Sequence, residues 1–195
     1  MILGTATASF AADRLGNYVV RGVGIKSCVD YLEAEQTSAE AVQPYVWWIE
    51  GYVSSLNRLM PDTADSSPIR DLAIVAILTR NICRGDPSLR METALGRLMR
   101  FFEPYRLTRL GPVITVDHPG GGTVEVYEET LVWVQQTLAD QDLYDGAADG
   151  QYRDSLRQAL ASYQEQRGLP VNGLPDAQTL QALFREFPEG PEAPQ

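Results

Sequence analysis

The sequence predicts a mainly α-helical protein made of two helical parts that are joined by a short β-hairpin. Three observations lead to this prediction. Apolar residues recur at intervals of three and four over much of the chain. A stretch of β-branched residues, interrupted by glycines, lies between the two parts. The C-terminal part contains Asp149-Gly150 and Asn172-Gly173, two turn signals that each precede an apolar helical segment.

The composition indicates an ordinary globular protein that is acidic. The chain has 195 residues, of which 44% are hydrophobic, and a net charge of −10. This length allows one or two domains. An acidic chain with no basic stripe argues against binding to nucleic acid or to anionic lipid. The apolar start of about a dozen residues is too short to span a bilayer and no other segment qualifies, so we expect no membrane span.

Residues 1–12 are small and apolar and precede Asp13. They match the apolar region and the small-residue cleavage site of a secretory signal, whereas the basic start of such a signal is missing. We interpret them as the remnant of a signal peptide and expect an exported protein. The alternative is an N-terminal arm that stays with the folded chain.

Residues 13–106 are expected to form a helical domain. Ser27 with Asp30 three residues later is typical of a capping box, and Ser38 is a plausible cap for a long amphipathic helix. The first predicted helix begins after Ser27. The other three run from Ser38 to Met60, from Ile69 to Cys83 and from Ser88 to Phe102. A proline-rich loop separates the second helix from the third.

Residues 107–128 are expected to form the hairpin linker. Two β-branched runs flank His118–Gly122, which has the composition of a turn. A glycine triplet can cradle phosphate, but no Lys-Ser/Thr pair and no helix start follow this one. His118 is the only histidine in the chain and is interpreted as a surface turn residue. We therefore expect no histidine-dependent catalytic site.

Cys28 and Cys83 are the only cysteines and lie near the start of one predicted helix and the end of another. In a secreted chain, two cysteines most simply form one disulfide. In a cytosolic chain they would be two buried, small apolar residues. One histidine and the absence of a Cys-x-x-Cys pair leave too few ligands for a metal, and we expect no metal and no cofactor.

The C-terminal part, residues 129–187, carries an ordered series of short motifs. These are Val134-Gln135…Leu138, Asp149-Gly150-Gln151-Tyr152-Arg153, Tyr163-Gln164, Gly168-Leu169…Asn172-Gly173 and Thr179…Leu183. In this order and spacing the series resembles the peptidoglycan-binding domain-like family. The sequence departs from the family pattern at Arg153, where the family has glycine, and its second Asp-Gly is replaced by Asn172-Gly173. The resemblance implies a three-helix module that binds peptidoglycan.

The resemblance also implies candidate ligand-binding residues. They are Asp149, Gly150, Gln151, Tyr152, Arg153, Gln164, Asn172 and Gly173. Among them, we expect the two glycines to serve backbone shape, and Gln164, like Gln135, to make buried hydrogen bonds. Tyr152 and Arg153 are the candidates for direct contact with the ligand. We also expect the Asp or Asn of each turn to cap the following helix.

Residues 25–102 resemble a second group, more weakly. Cys28-Val-Asp-Tyr-Leu32, Trp48-Ile-Glu-Gly-Tyr52…Asn57 and Asn81-Ile-Cys-Arg-Gly-Asp-Pro87 are similar to HdeA-like proteins and to two-cysteine periplasmic immunity proteins. This resemblance implies bonded cysteines, a periplasmic location and contact with another protein.

We therefore predict a non-enzymatic, exported protein that binds peptidoglycan through its C-terminal module and tethers a helical interaction domain to the cell wall. The first alternative is a periplasmic immunity-type inhibitor or acid-stress chaperone. The second is a wall hydrolase with an unrecognised carboxylate pair, for which Asp145 and Asp149 are candidates, although turn chemistry explains both. Residues 188–195 are rich in proline and are predicted to be disordered.

Overall fold

The computed structural model describes residues 13, 15–117 and 123–184. Three predictions fall outside these residues, namely the signal-peptide remnant at 1–12, the turn around His118 and the tail at 188–195. Within the described residues the protein is mainly helical, as predicted, and contains a two-stranded hairpin.

Four α-helices form the N-terminal part. They are α1 (Cys28–Thr37), α2 (Ala39–Leu59), α3 (Leu72–Gly85) and α4 (Met91–Phe102), with 3-10 turns at Gly22–Ile25 and Glu103–Tyr105. The capping box that the sequence predicts at Ser27 is present: its hydroxyl accepts from the Asp30 amide at 3.2 Å, and Asp30 accepts from the Ser27 amide at 2.8 Å. Ser38 caps α2 by accepting from the Ala41 amide.

Two predicted helix starts are corrected by the structure. α3 begins after Asp71 rather than at Ile69, because the Asp71 carboxylate caps the helix. Ser88 does not cap α4, because its hydroxyl donates to Asp86. The chain after Ser88 is extended and pairs with the start of α1, where the Cys28 amide donates to the Leu89 carbonyl at 2.7 Å. Tertiary backbone pairing thus delays the start of α4.

The predicted disulfide joins the start of α1 to the end of α3. Cys28 and Cys83 are bonded, and both residues are fully buried. The bond closes a loop with a sequence separation of 55 residues, which restricts the unfolded chain and is worth about 4 kcal/mol in the chain-entropy model. Nearby, the buried Tyr31 hydroxyl donates to the Ala76 carbonyl of α3, so α1 and α3 are also joined by a hydrogen bond.

The hairpin consists of β1 (Val113–Asp117) and β2 (Thr123–Tyr127), which pair antiparallel with Val113 opposite Tyr127. Val116 and Val126 are buried on one face, whereas Thr115 and Glu125 are exposed on the other. This alternation confirms the hairpin that the sequence predicts. β2 leads directly into the first helix of the C-terminal part.

The C-terminal part contains three helices, as predicted. They are α5 (Glu128–Asp140), α6 (Asp154–Gln166) and α7 (Ala177–Leu183). Their buried apolar residues form a small core that includes Leu131, Leu138, Leu156, Leu160 and Leu180. None of the described helices combines the length and the hydrophobicity that crossing a membrane requires.

The N-terminal part and the C-terminal part pack directly against each other. The rings of Phe102 and Phe184 lie 5.3 Å apart, and those of Tyr105 and Trp133 lie 5.5 Å apart. The buried Thr130 hydroxyl donates to the Pro68 carbonyl at 2.6 Å. The exact domain boundaries stay predictions, but the buried residues of both parts belong to one continuous cluster.

Candidate functional site

The C-terminal part contains the same hydrogen-bonded turn twice. In each copy, a fully buried glutamine near the end of a helix holds a following Asx-Gly pair. We call Gln135 with Asp149 and Gly150 the first glutamine turn, and Gln164 with Asn172 and Gly173 the second glutamine turn. Together they contain five of the eight residues that the sequence identifies as candidates.

In the first glutamine turn, Gln135 uses both ends of its side-chain amide. Its oxygen accepts from the Gly150 amide at 2.7 Å. Its nitrogen lies 3.1 Å from the Gln151 carbonyl and 3.3 Å from both Asp149 Oδ1 and the Tyr144 hydroxyl. Because Gln135 is buried in α5, these bonds fix the loop that precedes α6.

In the second glutamine turn, the Gln164 oxygen accepts from the amides of Asn172 and Gly173 at 2.9 and 2.8 Å. Its nitrogen lies 2.8 Å from Asn172 Oδ1, 3.0 Å from the Leu174 carbonyl and 2.8 Å from the Thr179 hydroxyl. These partners connect α6, the turn and α7. The expectation of buried hydrogen bonds at both glutamines is confirmed.

Both turns require glycine for two physical reasons. Gly150 and Gly173 have φ values of 73° and 71°, which L-residues rarely adopt. In addition, a Cβ on Gly150 would lie 2.7 Å from the Glu128 carbonyl oxygen, and one on Gly173 would lie 2.8 Å from the Arg157 carbonyl oxygen. The predicted role in backbone shape is therefore confirmed for both glycines.

The aspartate and asparagine of the turns do not cap the following helices, which corrects that expectation. α6 has Arg153 at its N-cap with no side-chain cap bond, and α7 is capped by Asp176. Asp149 and Asn172 instead stabilise their own turns by accepting from the backbone amide two residues later, at 3.0 and 2.8 Å.

Tyr152 connects the two glutamine turns. Its side chain is partly buried, and its hydroxyl donates to the Gly173 carbonyl at 2.7 Å. Burial raises the pKa of Tyr152 above its ordinary value, so the hydroxyl stays protonated and keeps donating. The sequence identifies Tyr152 as a candidate ligand contact, and the structure gives its hydroxyl an internal hydrogen bond.

Arg153 lies at the surface beside the first glutamine turn. Its backbone is extended, with φ −123°, so this position does not need the glycine of the family pattern. Arg153 Nη1 lies 2.6 Å from Asp149 Oδ2, and the two side chains are 57% and 36% exposed. The hydrogen bond from Arg153, followed by that from the Gln151 amide, lowers the pKa of Asp149. A charged pair therefore marks the exposed edge of this turn.

An open groove of about 670 Å³ adjoins Asp149. Three parts of the chain form its walls. They are the first turn of α5, which contributes Glu128 and Glu129; the loop residue Ala148; and the segment 109–112, which precedes β1. Gln151 borders this region, because its side-chain amide donates to Glu128 at 2.9 Å. Apart from Asp149, the groove residues lie outside the motifs, because they come from the linker, the residue before Asp149 and the N-terminal half of α5.

The eight candidate residues thus separate by exposure. Gly150, Gln164 and Gly173 are buried, and Asn172 is half-buried and bonded to Gln164. Gln151 and Tyr152 are half-buried, and only Asp149 and Arg153 are exposed. No group of three or more side chains suited to holding a metal ion occurs in the described part of the chain.

Residues 127–183 match the family model described as "Putative peptidoglycan binding domain". This match confirms the resemblance predicted for the C-terminal part and supports peptidoglycan binding by this module. It covers less than a third of the chain. Searches of curated proteins and of solved structures gave no significant match. The weaker resemblance of residues 25–102 to HdeA-like and immunity proteins stays a prediction.

Proposed function

We propose that this protein is an exported, non-enzymatic wall-binding protein whose C-terminal module binds peptidoglycan and tethers the helical N-terminal part to the cell wall. The observation that carries this proposal is the match of residues 127–183 to a peptidoglycan-binding family, on a module whose motif residues build two complete glutamine turns. The folded framework of such a module is therefore in place.

Within the module, we assign ligand contact to the exposed edge of the first glutamine turn. Asp149 and Arg153 are the exposed candidates, and Asp149 also lines the adjoining groove. A carboxylate beside a guanidinium offers an acceptor and several donors to the hydroxyl and amide groups of a glycan or a short peptide. The buried candidates Gln164 and Gly173 act by shaping the turn rather than by touching the ligand.

The packing between the two parts supports a tether without a flexible joint. Ring contacts such as Phe102 with Phe184, and the buried hydrogen bond from Thr130 to Pro68, join the module to the helical part. The helical part is therefore held in one orientation relative to the wall-binding surface.

Export is supported by the disulfide. A buried bond between Cys28 and Cys83 is typical of proteins that fold in an oxidising compartment. Together with a wall-binding module, it favours a location outside the cytoplasm, and we propose the periplasm. Cell fractionation followed by thiol labelling tests this: the protein is expected in the periplasmic fraction with both thiols protected, and a cytoplasmic, thiol-reactive protein would contradict it.

Binding is tested by co-sedimentation of the full chain with purified sacculi. We expect the wild type to pellet with the sacculi and Arg153→Ala to be retained less. Arg157→Ala is the matched control, because Arg157 is similarly exposed on α6 (55%) and is likewise paired with an aspartate, Asp154. Equal loss in both variants would argue against a local contact at Arg153.

Failure of the folded wild type to sediment would overturn wall binding. The same mixtures are followed by light scattering, because loss of turbidity would reveal hydrolysis of the sacculi and would support the hydrolase alternative instead. We expect the turbidity to stay constant.

A further inference from the structure

One edge of the hairpin is open. The Glu128 amide donates to the Pro112 carbonyl, so Pro112 and Glu128 form a hydrogen-bonded pair of the antiparallel ladder. Such pairs alternate with non-hydrogen-bonded ones. By the register, Thr123 and Glu125 of β2 then direct their N–H and C=O groups away from β1. No described residue bonds to these groups, so β2 presents a free edge.

This free edge borders a groove with a volume of about 1020 Å³. All five residues of β2 line the groove, although their side chains alternate between two faces, and no residue of β1 lines it. Both observations are explained if the groove lies along the edge of β2 that points away from β1. The groove therefore runs along unpaired strand backbone.

The rest of the groove is apolar within and acidic at its margin. The opposite walls come from α1, α2, the start of α3 and α7, and the apolar residues include Val42, Val46, Leu72, Val124 and Leu180. The charged groups of the lining are five carboxylates and one guanidinium. Two carboxylates are neutralised, Glu35 by Arg80 and Glu125 by Arg70.

Three carboxylates of this margin make no ion pair in the described part of the chain. They are Glu50 on α2, Asp71 at the start of α3 and Asp176 at the start of α7. They belong to three different elements around the groove, so negative charge surrounds it from several sides. An occupant that carries positive charge complements this margin.

We propose that this groove binds an extended, basic segment of another protein, which adds to β2 as a third strand. Strand addition supplies the missing partners for the Thr123 and Glu125 backbone groups. Alternate side chains of the segment would then point toward the apolar residues of the groove, while the intervening basic side chains reach Glu50, Asp71 and Asp176. The groove gives the wall-anchored protein a surface for a protein partner.

The probe for this proposal is a short capped peptide that alternates valine and lysine, added to the isotope-labelled full chain and followed by NMR. We expect saturable shifts at the Thr123 and Glu125 amides and slower hydrogen exchange there. Two peptides serve as controls: one alternates valine and glutamate, and the other is the valine–lysine peptide methylated at alternate backbone nitrogens. Each is expected to bind at least about tenfold more weakly, because the glutamate peptide loses charge complementarity and the methylated peptide loses hydrogen bonds.

The matched protein variants are Glu125→Pro and Thr115→Pro. Thr115 is the cross-strand partner of Glu125 and directs its backbone to the opposite edge, so both prolines remove one outward N–H. Binding is expected to be lost only in Glu125→Pro. Glu125→Gln separates the loss of the Arg70 ion pair from the loss of the edge: it is expected to bind more weakly than the wild type, because Arg70 is left uncompensated, but more tightly than Glu125→Pro. Because the methylated peptide leaves the protein unchanged, the test survives if a proline variant misfolds.

The charge requirement is tested with the double variant Glu50→Gln and Asp71→Asn, in which asparagine keeps its ability to cap α3. Asp176 is left intact, because its carboxylate also accepts from the Asn172 side chain of the second glutamine turn. We expect weaker binding of the lysine peptide and less dependence on salt. Three results would overturn the proposal. The first is equal binding of the methylated peptide. The second is a shift of the edge amides with protein concentration alone, which would indicate a second copy, and the third is a response of these amides to soluble wall fragments but not to the peptide.

Discussion

The two glutamine turns share one design and differ in what surrounds them. In both, a buried glutamine lies seven residues after the residue whose carbonyl approaches the turn glycine, Glu128 for Gln135 and Arg157 for Gln164. The second turn is enclosed, because α7 covers it and the Tyr152 hydroxyl bonds to its glycine carbonyl. The first turn carries an exposed charged pair and adjoins an open groove.

This difference supports the proposal that the second turn serves structure alone, whereas the first turn serves both structure and ligand recognition. Where the turn is enclosed, the side-chain amides of Gln164 and Asn172 and the backbone groups of Gly173 have partners inside the module. Where the turn reaches the surface, a buried glutamine fixes a loop whose aspartate is exposed and forms an ion pair with Arg153. The following predictions test this division of roles, beginning with the largest expected effect.

Replacing the buried glutamines is expected to cause the largest loss of stability. Gln164→Ala leaves the Asn172 and Gly173 amides without their acceptor, and each buried unsatisfied group costs about 1–3 kcal/mol. We expect the free energy of unfolding to fall by about 4 kcal/mol. Gln135→Ala removes the acceptor of one amide only, Gly150, and is expected to cost less.

Urea denaturation of the oxidised protein measures these changes. Gln158→Ala is the control, because Gln158 lies on the same helix as Gln164 and is exposed, and it is expected to change the unfolding free energy by less than about 0.5 kcal/mol. If Gln135→Ala proved as costly as Gln164→Ala, the two turns would not differ in structural importance.

Alanine at the turn glycines is expected to have the next largest effect. In Gly150→Ala and Gly173→Ala, the positive φ and the close carbonyl oxygen act together, and we expect each to cost about 3 kcal/mol. Gly168→Ala provides the comparison, because Gly168 has φ 64° and open space around its Cβ position. It is expected to cost about 1 kcal/mol from backbone strain alone. Equal losses at all three glycines in thermal unfolding would exclude the steric contribution.

A residue with positive φ ends the helix before each glutamine turn. This residue is Asp142 after α5 and Gly168 after α6, and replacing Asp142 by glycine is expected to stabilise the protein. α5 and α6 end in the same hydrogen-bond pattern, with Asp142 and Gly168 in the left-handed position at φ 58° and 64°. Asp142 is exposed, so Asp142→Gly is expected to relieve strain and raise the unfolding free energy by about 0.5 kcal/mol. Chemical denaturation measures it, and a destabilised variant would show that the Asp142 side chain supports this helix end.

Local patterns predict much of this structure because the responsible forces are local. The capping box at Ser27, the need for glycine at Gly150 and Gly173, and the burial of Gln135 and Gln164 all follow from short motifs and were confirmed. The disulfide follows from counting cysteines in a chain that is expected to be exported.

Long-range pairing explains what the sequence does not predict. The start of α4 shifts because the Leu89 carbonyl bonds to the Cys28 amide, a partner 61 positions away. The internal hydrogen bond of Tyr152 depends on how the second turn folds back onto the loop. The groove along β2 requires α2, α3 and α7 to meet the hairpin, and no segment of the sequence contains that information by itself.

The smallest expected effect on stability concerns Arg153, where the sequence departs from the peptidoglycan-binding pattern that the C-terminal part resembles. The Asp149–Arg153 pair is exposed, and such pairs add little to stability at neutral pH. Arg153→Ala is therefore expected to leave the unfolding midpoint at pH 7 unchanged within error. Its effect is expected on the pKa of Asp149, which Arg153 lowers more than any other group does.

An NMR titration of the Asp149 carboxyl carbon tests this last prediction. In the wild type, the lowered pKa means that the stabilisation from the Asp149 carboxylate is present above the ordinary aspartate pKa and is lost as the pH falls through the lower, folded value. In Arg153→Ala, the pKa of Asp149 is expected to rise toward its ordinary value while the Gln151 amide and Gln135 still hold it partly down. Arg157→Ala is expected to leave it in place, because Arg157 pairs with Asp154. An unchanged Asp149 pKa in Arg153→Ala would mean that the pair does not form in solution and that the first turn presents a free carboxylate to its ligand.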